Sequence, residues 1–162
     1  MTKHIINIED VELQPRPPQF SPTGPAAQRF EARIGRIGPQ IGAKKLGCSL
    51  TAVPPGKRAF PFHNHRLNEE MFYVIEGSGE VRIGAERFPI RAGDLIACPP
   101  GGPEAAHQII NTGTVELKYL AVSTMQYPEV CEYPDSGKIG VLADDIRYVN
   151  RLDSQVGYWD GE

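Results

Sequence analysis

The stretch Pro54-Pro55-Gly56-Lys57-Arg58-Ala59-Phe60-Pro61-Phe62-His63-Asn64-His65-Arg66-Leu67-Asn68-Glu69-Glu70-Met71-Phe72-Tyr73-Val74-Ile75-Glu76-Gly77 holds two histidines one residue apart, two carboxylates and a run of strand-forming residues. Along a strand, side chains alternate between faces, so residues two apart share one. His63 and His65 then project side by side, with Ala59 and Pro61 on the same face, and Phe60 and Phe62 on the other. Two imidazoles so placed converge on a single ion; neutral imidazole suits Zn, Fe, Ni or Cu, and a carboxylate nearby extends the choice to Mn. On the next strand Glu70 shares its face with Phe72 and Val74, whereas Glu69 shares with Met71, Tyr73 and Ile75. Both faces are apolar, and alternation alone does not choose between the two carboxylates.

Outward from this stretch the chain is a succession of short β-like runs: 29–34, 46–53, 58–65, 70–76, 80–83, 87–90, 94–98, 106–111 and 115–125. Turn signals separate them, at Pro54-Pro55-Gly56, Gly77-Ser78-Gly79, Gly84-Ala85, Ala92-Gly93, Pro99 to Pro103 and Asn111-Thr112-Gly113. Short strands at this spacing, with no helical pattern between them, predict an all-β antiparallel sandwich or barrel. Gly77-Ser78-Gly79 lacks the G-x-G-x-x-G pattern and following helix of a phosphate loop and is expected to be a hairpin turn. The chain has four histidines. His4 lies in the leader, and His107 opens a later strand.

With these residues in place, the chain resembles the cupin superfamily, in its small conserved-barrel form. The first cupin motif is matched by Gly56, His63-Asn-His65, four residues, Glu70, six residues and Gly77. The second is matched by Gly93-Asp-Leu-Ile-Ala-Cys-Pro99-Pro100-Gly101 and then His107-Gln-Ile-Ile-Asn111. Two departures stand out: six residues rather than five lie between Gly56 and His63, and five rather than two between Gly101 and His107. That second insertion is expected at the mouth of the barrel. The resemblance implies a double-stranded β-helix, or jelly-roll barrel, holding one divalent transition metal (Zn, Fe, Mn or Ni) on His63, His65, Glu70 and His107. It implies a metalloenzyme acting on a small organic molecule, of dioxygenase, decarboxylase or isomerase type; the alternative is a small-molecule-binding or sensing module without catalysis.

The flanks suggest three regions: an arm over 1–28, the barrel over 29–126 and an extension over 127–162. Leu13 to Pro25 contains five prolines. Proline lacks the amide donor and fixes φ, so this part is neither a helix interior nor a central strand. It reads as an extended, polyproline-like arm that is either loose or packed on the barrel or a partner subunit. The extension, with Pro128, Pro134 and a mixed-charge stretch, reads as irregular, with one short helix. A net charge of -3 and no basic block argue against nucleic-acid partners. The longest apolar run, Met71 to Ile75, falls far short of the roughly 20 residues needed to span a bilayer, which argues against membrane insertion. Met1 to Asp10 shows no secretion signal, and Cys48, Cys98 and Cys131 are odd in number. Both features fit reduced thiols and a cytoplasmic protein. Outward apolar stripes (Phe60, Phe62, Met71, Tyr73, Ile75) need a cover, either a second subunit or the proline-rich arm, and a homodimer is expected.

Overall fold

The computed structural model describes residues 4–162; the first three residues of the expected arm lie outside them. The strands in chain order are β1 (Gln14–Pro15), β2 (Arg33–Arg36), β3 (Leu46–Val53), β4 (Asn64–His65), β5 (Glu70–Glu76), β6 (Ser78–Ile83), β7 (Glu86–Arg91), β8 (Leu95–Cys98), β9 (His107–Ile110), β10 (Leu117–Thr124), β11 (Glu129–Tyr133), β12 (Lys138–Leu142) and β13 (Arg147–Arg151). Among the described residues, helix occurs only as short 3₁₀ turns, and no helix is long and apolar enough to cross a membrane. The strands form a six-stranded sheet ordered β1-β2-β3-β10-β5-β8, a three-stranded sheet β7-β6-β9 and a four-stranded sheet β13-β12-β11-β4. The chain is all-β, as its turn spacing predicts.

One apolar core joins the six-stranded sheet to the three-stranded one. Val53 of β3, Phe72 and Val74 of β5, Ile96 of β8, and Leu117 and Tyr119 of β10 meet Val81 of β6, Ile90 of β7 and Ile109 of β9. Burying each such side chain contributes about 1.5–3 kcal/mol. The alternation read from the sequence holds on β5, where Phe72 and Val74 point inward while Met71 and Tyr73 remain exposed.

Four expectations are corrected. Gly77-Ser78-Gly79 is not a hairpin: β5 and β6, on either side of Gly77, belong to different sheets. Gly77 is a corner with φ 83, where an added Cβ would come within 2.5 Å of the Glu116 carbonyl oxygen. The hairpin comes one strand later, at Gly84-Ala85, where Ile83 pairs with Glu86. Next, the expected strand over 58–65 is reduced to isolated bridges at Arg58 and His63 followed by the two residues of β4. Alternation fails there. Phe62 is buried, with the Arg82 guanidinium 3.6 Å from its ring centroid, and Phe60 packs against the core.

The third correction concerns the C-terminal extension, which is not irregular. β11, β12 and β13 form an antiparallel meander, and β11 pairs with β4 through Cys131↔His65 and Glu132↔Asn64. Pro134 and Gly137 mark the turn between β11 and β12 rather than breaking the run. The last concerns the arm, whose extended run is interrupted by 3₁₀ turns at Pro18–Phe20 and Gly24–Gln28. It lies on its own barrel. β1 pairs with β2 at the sheet edge, where proline's missing donor costs least, and Val11 is buried with Ile37 and Leu50.

Candidate metal centre

Local backbone pairing sets the positions of the three barrel histidines. The His63 N–H donates to the His107 carbonyl at 3.2 Å, and the His107 N–H donates to the His63 carbonyl at 2.7 Å. This reciprocal bond, an isolated antiparallel bridge between His63 and the first residue of β9, makes the two residues facing neighbours, and their ring centroids lie 4.8 Å apart. His65 follows two residues on, its ring 5.1 Å from that of His63. Asn64, between them, points the other way; its amide donates to the Gly101 carbonyl at 2.8 Å and to Glu132 Oε2 at 2.7 Å.

Glu70, the first residue of β5, enters from the opposite wall. Its Oε2 lies 2.9 Å from His107 Nε2, 3.4 Å from His65 Nε2 and 3.7 Å from His63 Nε2. Glu69 is exposed and takes no part. His63, Glu70 and His107 present ligand atoms all within 4.8 Å of one another; by the same measure His65 groups with Glu129 and Cys131 on its far side. His65 therefore sits between two clusters, with Nε2 toward Glu70 and Nδ1 3.3 Å from Cys131 Sγ and 3.7 Å from Glu129 Oε2.

The chemistry of this set fits a divalent ion. Two donors bound at right angles at about 2.1 Å are about 3.0 Å apart, close to the separations observed around Glu70 Oε2. His63 Nδ1 donates to the Pro61 carbonyl at 2.8 Å, which leaves the lone pair on Nε2, facing Glu70. His65 Nε2 is buried without a hydrogen-bond partner among the described residues, an orphan of the kind a metal ligand leaves when no ion is present. Burial and the His107 ring push the His63 imidazolium down to about 4, against the pull of Glu70. At His65 burial works in the same direction but is outweighed by Cys131 and Glu70, and its pKa rises to about 10. For Glu70 burial opposes ionisation, yet His107 and His65 hold the carboxyl well below its usual range.

A cavity of about 320 Å³ opens beside the cluster, lined by His63, Glu70, Phe60, Phe72 and two exposed cations, Arg36 and Arg147. Residues 102–106 are not part of its lining, so the insertion before His107 lies away from this opening rather than at it. Instead the segment forms a 3₁₀ turn at Pro103–Ala105, whose flank Gly101 donates to the His65 carbonyl at 2.8 Å.

Sequence reasoning missed Glu129, Cys131, Arg36 and Arg147. Glu129 is almost fully buried and accepts backbone N–H groups from Arg66 at 3.0 Å, Leu67 at 3.2 Å and Asn68 at 2.7 Å, together with the Asn68 amide. It thereby fixes the loop joining His65 to Glu70. No motif signals it, because it comes from the meander.

Comparison with known proteins adds a domain match. Residues 49–123 match the cupin domain model. A protein of Methanocaldococcus jannaschii, MJ1618, is 39% identical over 83 residues, covering 51% of this chain and 63% of its own length. The oxalate-binding protein of Thermotoga maritima is 34% identical over 70 residues, covering 43% of this chain and 54% of its own. The chain thus spans between half and two thirds of these relatives. Among solved structures, a sugar phosphate isomerase of the cupin superfamily from Silicibacter pomeroyi superposes with a TM-score of 0.81, at 22% identity, over 96% of this chain and 98% of that one. At that identity the likeness speaks for the fold alone. Residues 49–123 thus match the cupin domain, and the fold around them is of cupin type.

Proposed function

We propose that the chain holds one divalent transition metal, Zn, Fe, Mn or Ni, on His63, His65, Glu70 and His107, and that it is a metalloenzyme acting on a small organic molecule. The observation that carries this reading is the approach of three imidazole nitrogens to within 3.7 Å of a single carboxylate oxygen. When bound, a divalent ion supplies Lewis acidity with coordination positions left for water or substrate. The chain's own residues position the reactants. His63 and His107 are locked together by their backbone pair, Glu129 braces the loop behind His65, and Phe60 and Phe72 give the cavity apolar walls. Arg36 and Arg147 add two cations, neither in an ion pair among the described residues, which favours a negatively charged substrate. The name of the T. maritima relative, an oxalate-binding protein, agrees with a small organic anion and also favours a second reading, a binding module without turnover. The functional unit proposed is a homodimer.

Metal analysis of protein purified without added metal tests the first part. About one ion per chain is expected, and the His63→Ala/His107→Ala variant should lose it while keeping a β-type circular dichroism spectrum. Full metal retention by that variant would overturn the assignment. A turnover screen of small organic acids, under air and under nitrogen, then separates the readings: product formation that needs the metal supports the enzyme, and binding without product supports the module.

A further inference from the structure

A second cavity, of about 420 Å³, lies between the N-terminal arm, the Ala59–Phe62 segment and the start of β12. Arg16, Arg29, Arg58 and Lys138 all line it. Asp135 is the lone carboxylate in its lining, and it is bound through both oxygens to Arg82, at 3.0 and 2.9 Å. Among the described residues none of the four cations forms an ion pair. This convergence occurs in a chain whose net charge is -3.

Aromatic faces take the place of carboxylates as supports for the guanidinium groups. Arg16 lies 4.6 Å from the Phe60 ring centroid, and Arg29 and Arg58 lie 5.5 and 5.9 Å from that of Phe30. A guanidinium held against a ring keeps its in-plane N–H donors free, the arrangement that suits bidentate recognition of an oxyanion. Arg16 uses one donor on the Ala59 carbonyl at 2.8 Å, while Arg58 Nε is buried with no hydrogen-bond partner among the described residues. Burial, with the nearby charges of Arg29 and Arg87, weakens the hold of Arg58 on its proton against the pull of Asp135; burial does the same to Arg16. An anion in the cavity would relieve both effects.

We infer that this cavity binds a small organic anion, a flat apolar body bearing a carboxylate or a phosphate monoester, at a site distinct from the metal centre. Phe60 is the wall the two cavities share. Phe20, over whose ring none of the four cations lies, takes the apolar body, and the four cations take the oxyanion. The inference does not rest on metal binding.

The test is calorimetric titration of the full-length protein with phenyl phosphate and with benzoate, using benzyl alcohol as the neutral comparator. One site per chain is expected for at least one of the anions and none for the alcohol, with affinity falling as salt rises. Arg58→Gln should weaken binding by about tenfold, the scale of one charge-assisted hydrogen bond. Lys138→Met should also weaken it and serves if Arg58→Gln does not fold. The Arg36→Gln variant, which alters the cavity beside the metal centre, and the His107→Ala variant, which removes a proposed metal ligand, should bind as the parent does. A preference between phenyl phosphate and benzoate identifies the headgroup. The inference is overturned if neither anion binds at millimolar concentration, if Lys138→Met and Arg58→Gln bind undiminished, or if Arg36→Gln abolishes binding.

Discussion

At the scale of single residues, the least expected actor is Glu129. A buried carboxylate is costly unless its lone pairs are met, and Glu129 meets them with three consecutive backbone amides and the Asn68 side chain. Replacing it with glutamine turns an amide N–H₂ toward those donors. Glu129→Gln is expected to destabilise the fold by about 2–4 kcal/mol, since each buried donor left unmet costs roughly 1–3 kcal/mol. Because the amides belong to the loop between His65 and Glu70, metal affinity should also drop about 10–100-fold, as for other groups that orient ligands from behind. Urea denaturation and competition with a chelator measure the two effects; a variant equal to the parent in both would refute the role. The sequence pointed to His63, His65, Glu70 and His107 through motif spacing and the cupin resemblance, since strand parity left Glu69 and Glu70 open, and the structure brings the four side chains together. Nothing made Glu129 legible: its partners are backbone amides, which leave no trace in residue identity.

Among elements, the junction between β4 and β11 joins the barrel to the meander. Arg66 donates to Glu132 Oε1 at 2.8 Å, and Asn64 donates to Glu132 Oε2 at 2.7 Å. The Arg66 bond holds the Glu132 carboxyl below its usual range, with Asn64 adding to it and burial opposing it. A carboxylate whose folded pKa lies below its unfolded one adds stability that is full above the unfolded value, about 4.3, and fades as pH falls through the folded value. The melting temperature should therefore decline below about pH 4.5. Glu132→Gln should lower it at pH 7 and flatten this acid limb; an unchanged acid limb would show that the junction does not respond to pH through Glu132. The sequence rendered the long strands closely, with β3 and β5 expected at the bounds they take. It extended the run ending in β4 too far back, to Arg58, and missed β11, whose buried positions carry Glu129 and Cys131 instead of aliphatic side chains, so no alternation of apolar and polar residues marks that strand.

On the scale of the whole molecule, the question is what covers the outer face of the six-stranded sheet. Of the five residues expected to form outward stripes, Phe62 and Phe60 are taken up by the chain's own packing. Ile75 packs against the cluster that Val11 of the arm completes, so the arm covers one end of the sheet. Met71 and Tyr73 stay exposed, and Tyr73 pairs across strands with Leu95 of β8, which is 70% exposed. β8 is also the edge of that sheet among the described residues, and an edge strand is a place where another chain can pair. An apolar patch beside an open edge favours two-fold association, the commonest closed arrangement for identical subunits. Each of these side chains would contribute about 1.5–3 kcal/mol at full burial. Sedimentation at micromolar concentration should give about twice the chain mass of 17.8 kDa. Tyr73→Glu with Leu95→Lys should return the protein to a folded species of single chain mass, because both positions already face solvent in the isolated chain and the change spares its core. A parent protein that sediments as a monomer, or a double variant that remains a dimer, would place the contact elsewhere or remove it altogether.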